Sequence, residues 1–87
     1  MFEEIGTILN VVFYVDHSPR EGFRLILRDE DSHETLFDEL MLLYSIREAV
    51  IVACSRVWKS EIEEFQDYDL PIRIAENLGT EEMHLNV

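Results

Sequence analysis

The residues best equipped for chemistry fall in a few short clusters, and each cluster can be tested against what its chemistry demands. Asp16-His17-Ser18 holds the residue types of a hydrolytic triad. Neighbours in one turn cannot form that geometry among themselves. Asp29-x-Asp31-x-His33 opens like a calcium loop, but Glu34 stands where the tight turn needs Gly and Leu40 where the bidentate Glu belongs. His33-Glu34 begins like the helix of a zinc protease, yet Phe37 occupies the place of the second histidine. His17, His33 and His84 are far apart, and with Cys54 they make no zinc-ligand pair. Gly6, Gly22 and Gly79 are scattered, so no glycine loop cradles a phosphate. The expectation is a protein without catalytic residues, metal or cofactor.

What remains is carboxylate. Nineteen acids against seven bases leave a formal charge of −12. No basic cluster exists to meet nucleic acid or an anionic membrane, and the field of such a chain attracts a basic protein surface. One group of acids comprises Glu61, Glu63, Glu64, Asp67 and Asp69, with Tyr68 among them as a candidate aromatic anchor. A second comprises Asp29, Glu30, Asp31, Glu34, Asp38 and Glu39. Carboxylates one helical turn apart lie about 5–6 Å from each other. That is near the charge spacing of a nucleic-acid strand, roughly 3.4 Å per phosphate along the axis and longer along the backbone. The plainer account is that many soluble domains are acidic for solubility alone.

The element that must position these groups is the stretch Glu34–Gln66, which lies within the longest run without Gly or Pro. Val50, Cys54, Val57, Trp58, Ile62 and Phe65 recur at steps of three and four, one face of a helix. Leu36, Leu40 and Leu43 extend that register backwards until Arg47 interrupts it. Ser45 and Glu48 form a capping box, flanked by Tyr44 and Ala49 at the staple positions. The run therefore divides into a helix over 32–44 and a second over 46–66, since one unbroken helix would reach roughly 50 Å. On this reading Cys54 is a buried, inert thiol and Trp58 a core residue. A rival reading makes the β-branched run within 49–54 a central strand, with a short helix starting at Ser60.

Strands complete the pattern. Residues 7–15 are apolar on both faces, which suits a covered strand. Asp16 to Gly22 is turn chemistry, and Phe23, Leu25 and Leu27 alternate with arginines in a second, antiparallel strand. Leu70, Ile72 and Ile74 alternate as a short edge strand next to Pro71, and Met83, Leu85 and Val87 as a final one. The fold expected is a single α+β domain over 1–87, ββααββ, or ββαβαββ if 49–54 is a strand.

A lone cysteine fits a reducing compartment, and the acidic start Met1-Phe2-Glu3-Glu4 is unlike a signal peptide. The most apolar window, Leu40 to Cys54, is too short to span a bilayer. A cytoplasmic location is the expectation. In size and charge the chain resembles the small acidic inhibitors that phages use against restriction, CRISPR or transcription machinery, a likeness of type that sits in no particular residues. It implies a protein that docks on a basic, nucleic-acid-binding partner, with nucleic-acid mimicry as its sharpest form. The competing expectation is a non-catalytic subunit or scaffold that dimerises through an edge strand or the second helix, its acidity incidental.

Overall fold

The computed structural model describes residues 2–83. Four strands come first: β1 (Phe2–Ile8), β2 (Val11–Asp16), β3 (Phe23–Asp29) and β4 (Thr35–Met41). Three helices follow, α1 (Ile46–Val57), α2 (Lys59–Phe65) and α3 (Leu70–Asn77), then a single 3-10 turn at Thr80–Glu82. The strands form an antiparallel meander in the order β1-β2-β3-β4, and the helices cover one of its faces. The protein is thus α+β with a four-stranded antiparallel sheet and three helices. Its order is not the ββααββ expected from the sequence.

The core follows from period-two alternation. Val11, Phe13 and Val15 of β2, and Phe23, Leu25 and Leu27 of β3, point to the helical side. They meet Ile46, Ala49, Val50, Ala53 and Cys54 of α1, with Ile74 and Ala75 of α3. Phe13 also stacks on Trp58, ring centroids 6.5 Å apart. Gly6 allows Leu78 to close on the sheet, because a Cβ there would lie 2.4 Å from Leu78 Cδ2. Under the last turn, the buried Thr80 hydroxyl donates to the Ala75 carbonyl at 2.7 Å.

Residues 7–15 are not one strand. Leu9 and Asn10 both take left-handed backbone, φ 50° and 64°, and make the two-residue turn of a tight hairpin. Asn at such a position is common, but without a neighbouring Gly the turn is silent in the sequence.

The helix expected over 32–44 is β4 instead. Its Leu36, Leu40 and Leu43, which a helical stripe would bury, are exposed. Phe37 and Met41 are buried, and a spacing of four satisfies a strand as well as a helix. Glu39 sits between them on the same face and masks the alternation. The open edge of β3 decides the matter, since pairing along it satisfies backbone groups that water would otherwise have to meet.

The Ser45–Glu48 capping box forms as expected: the Glu48 amide donates to Ser45 Oγ at 3.1 Å, and the Ser45 amide donates to Glu48 Oε1 at 3.2 Å. The rival strand over 49–54 is not formed, because those residues lie within α1. The second helix breaks at Trp58, where φ −105° and ψ 25° end α1 and begin α2. Beyond the break the apolar stripe stops at Ile62, and Phe65 is left in solvent.

The expected strand at Leu70, Ile72 and Ile74 is helix α3. Pro71 lies in its first turn, where a missing N–H leaves no bond broken. The buried set is Pro71, Ile74, Ala75 and Leu78, a helical stripe that alternation had concealed. The last expected strand falls mainly on residues 84–87, outside the described residues. Among the described residues, no helix is long and apolar enough to cross a membrane.

Candidate partner-binding surface

The two acidic groups named from the sequence meet different fates. In the first, α2 carries Glu61 and Glu64 one turn apart, and Phe65 beside them on the same helical face. Gln66 then turns left-handed, φ 53°, and directs the chain into the loop that holds Asp67, Tyr68 and Asp69. Glu61, Glu63, Glu64 and Asp69 are exposed. None of these glutamates makes an ion pair among the described residues. The aromatics are bare as well, Phe65 73% and Tyr68 67% exposed. Ile62, buried beneath them, anchors α2 to the body.

Between α2 and α3 lies a shallow depression of about 320 Å³, walled by Tyr68, Glu63 and Lys59 and floored by Ile62 and Pro71. Asp67 is committed elsewhere. Its carboxylate receives both guanidinium arms of Arg73, Nη1 at 2.9 Å and Nη2 at 2.7 Å, tying the loop to α3. The hydrogen bond from Arg73 holds the Asp67 pKa below its ordinary value of 3.8. Asp69 also attracts Arg73, at longer range. The free acids of this surface are therefore the three glutamates, with Asp69 partly offset.

The second group does not form one surface. Asp29, Glu30, Asp31 and Glu34 sit in the β3–β4 hairpin, where Asp29 Oδ1 accepts from the amides of Asp31 and Ser32, both at 2.9 Å. Those amides, Ser32 first, lower the Asp29 pKa from 3.8. Asp38 and Glu39, expected on a helix, stand on a strand and point to opposite faces of the sheet. Each is neutralised: Asp38 by Arg24 at 2.6 Å on the open face, Glu39 by Arg56 on the helical side. The Arg56 guanidinium also lies over the Phe37 ring, 5.7 Å from its centroid.

Elsewhere the geometry offers less chemistry. Cys54 is buried, and desolvation pushes its thiol up to about 12, so the reactive thiolate is suppressed. His17 Nε2 lies 3.8 Å from a Glu3 carboxylate oxygen at a cleft of about 350 Å³ closed by Ile46 and Met83. Among the described residues, no three His, Cys, Asp or Glu side chains gather as a metal site.

Two exposed features escaped the sequence reading. Spacing alone puts Phe65 on the core stripe; the helix break at Trp58 changes the direction of the chain and leaves it exposed. Leu42, Leu43 and Tyr44 are exposed between β4 and α1. Their place just before the Ser45 cap was the available signal, since residues ahead of a cap belong to the loop. Compared with protein-family models, curated proteins and solved structures, the chain matches none of them.

Proposed function

We propose that this protein is a non-catalytic binding domain that docks its α2–α3 surface on a basic patch of a nucleic-acid-binding protein and blocks or adapts it. The observation that carries this reading is the pairing of two bare aromatics, Phe65 and Tyr68, with the unpaired carboxylates of Glu61, Glu63 and Glu64. Exposed aromatics on a rigid helix end supply anchoring area at low entropic cost. The glutamates steer a cationic partner and meet its Lys and Arg, standing in for phosphates in the sharpest form of the proposal. Three of the acids named from the sequence drop out of that role: Asp67 holds Arg73, Asp38 holds Arg24 and Glu39 holds Arg56.

The test passes a polyanion-binding protein fraction over the immobilised protein and elutes with duplex DNA. Retained protein should be released by DNA and by salt, and should not be retained by the triple variant Glu61→Lys, Glu63→Lys, Glu64→Lys. Phe65→Ala with Tyr68→Ala should hasten dissociation more than it slows association. Retention that ignores both DNA and the charge reversal overturns the reading.

A further inference from the structure

We propose that the depression between α2 and α3 is a pocket for a single arginine side chain of the partner, whose guanidinium stacks on Tyr68 and pairs with Glu63. The proposal rests on the α2–α3 surface being the docking surface, and names the group that this surface grips. The depression measures about 320 Å³, near the bottom of the range of small-molecule pockets and suited to one long side chain. Its floor is apolar, made by Ile62 and Pro71. The Tyr68 ring forms one wall and the exposed Glu63 another. Asp67, next to Tyr68 in the chain, is clamped by both arms of Arg73, so the Tyr68 wall is held before any partner arrives.

The lining selects the occupant. An apolar side chain would cover the floor but shut the Glu63 carboxylate away from water without a partner. An anion would meet Glu63 and the net charge of −12. A long cation satisfies both surfaces, with its aliphatic stem over Ile62 and Pro71 and its charged head at Glu63. Between the two long basic side chains the ring decides. A guanidinium is planar and weakly hydrated, so it can lie flat on Tyr68 while donating to Glu63; an ammonium is compact and strongly hydrated.

The molecule already makes this arrangement once within itself. Arg56 pairs with Glu39 and lies over the Phe37 ring, 5.7 Å from its centroid. At α2–α3 a ring and a carboxylate again line one site, but among the described residues no arginine of the chain reaches Glu63. Lys59 does not take its place. It stands one helical turn before Glu63 and makes no ion pair among the described residues, Lys ahead of Glu being the weaker order on a helix. The Glu63 carboxylate is therefore open to an incoming cation.

An amide NMR titration of the full chain at physiological ionic strength tests this with N-acetyl-arginine amide, its lysine counterpart and its uncharged citrulline counterpart. The arginine probe should bind saturably, with shifts gathered at Ser55, Ile62, Glu63 and Tyr68. It should bind several-fold tighter than the lysine probe, and citrulline should not saturate. Glu63→Gln should weaken arginine binding on the order of tenfold, as expected for loss of a charged hydrogen-bond partner. Tyr68→Leu, which keeps apolar bulk, should bring arginine down to the level of lysine, whereas Tyr68→Phe should retain the preference. Lys59→Gln should tighten both cations by removing a like charge from the rim. The same spectra report whether each variant is folded. Shifts spread over every acidic segment, equal affinities for arginine and lysine, or indifference to Glu63→Gln overturn the pocket. If DNA-reversible capture of a partner persists while arginine does not seat here, the pocket is refuted and the docking surface stands. Saturable arginine binding without such capture supports the pocket and rejects that class of partner.

Discussion

The stretches 29–39 and 61–69 carry similar runs of acid, yet the structure makes opposite use of them. On β4 the period of two sends Asp38 and Glu39 to opposite faces, and on each face an arginine is waiting. On α2 the period of 3.6 keeps Glu61 and Glu64 together with Phe65, and no arginine reaches them. The first stretch is spent on internal pairing, apart from its hairpin tip, while the second remains available to a partner. Acid content alone therefore does not locate a binding surface. The period of the element and the placement of the few bases do.

The comparison can be broken most severely at Ile62, the one buried residue of α2. Ile62→Ala should cost about 2–3 kcal/mol in urea unfolding, toward the low end for such a deletion because the site borders solvent. It should also abolish partner capture by loosening α2, whereas Phe65→Ala should leave stability nearly unchanged. Equal losses from both would mean that Phe65 is a packing residue and the surface is wrongly drawn.

Next in size is Cys54, on the buried face of α1 and between the two stretches in sequence. Cys54→Ser should destabilise the fold by about 1–3 kcal/mol, since a hydroxyl there gains no assured partner. The native thiol should react with a disulfide reagent only after unfolding, as its raised pKa and burial require. Rapid labelling of folded protein would contradict the core described above.

Acid provides a subtler probe. Asp29 and Asp67, one in each stretch, both titrate below 3.8, as does Asp16, lowered to about 2 mainly by the Ser18 amide. A depressed carboxylate contributes stability that is present above its unfolded pKa and lost as pH falls through the folded one. The urea midpoint should therefore fall as pH drops from about 4 toward 2. The two stretches separate in salt. The Asp67–Arg73 pair is a charge–charge contact at the surface and should weaken, so the loss caused by Asp67→Asn should shrink at high ionic strength. Asp29 is held by amide donors, and the loss on replacing it with Ala should persist.

The smallest expected effect concerns net charge. Thermal midpoints should rise as sodium chloride goes from very low to physiological levels, since a Debye length near 8 Å at about 0.15 M screens the self-repulsion of the chain. At low salt, Glu61→Gln with Glu64→Gln should raise the midpoint by a little, because unpaired like charges are removed. Glu39→Gln should not, because it also strands Arg56. A gain from Glu39→Gln matching the first would erase the distinction between the stretches.

Residues near in sequence settled much of this protein without help. The Ser45–Glu48 box rests on contacts within a few positions, and the β3 alternation and the helical spacing of Val50, Cys54 and Ile62 marked their buried sides before any partner was known. The acidity and the candidate role of Tyr68 were likewise open to reading, although Phe65 beside it was not.

Tertiary structure decided the rest, and each case has a local ambiguity behind it. Residues 35–41 have leucines at helical spacing, but a spacing of four fits both periods, and only the open edge of β3 selects the strand. Leu70 to Ile74 alternates like a strand, yet Pro71 starts a helix that packs Ile74 and Ala75 against α1. Whether an acid is free was decided last of all. Arg24, Arg56 and Arg73 lie 14, 17 and 6 residues from the carboxylates they bind, beyond the reach of any local pattern. Charge is a property of composition, but neutralisation depends on which distant side chains the folded backbone brings within a few ångströms.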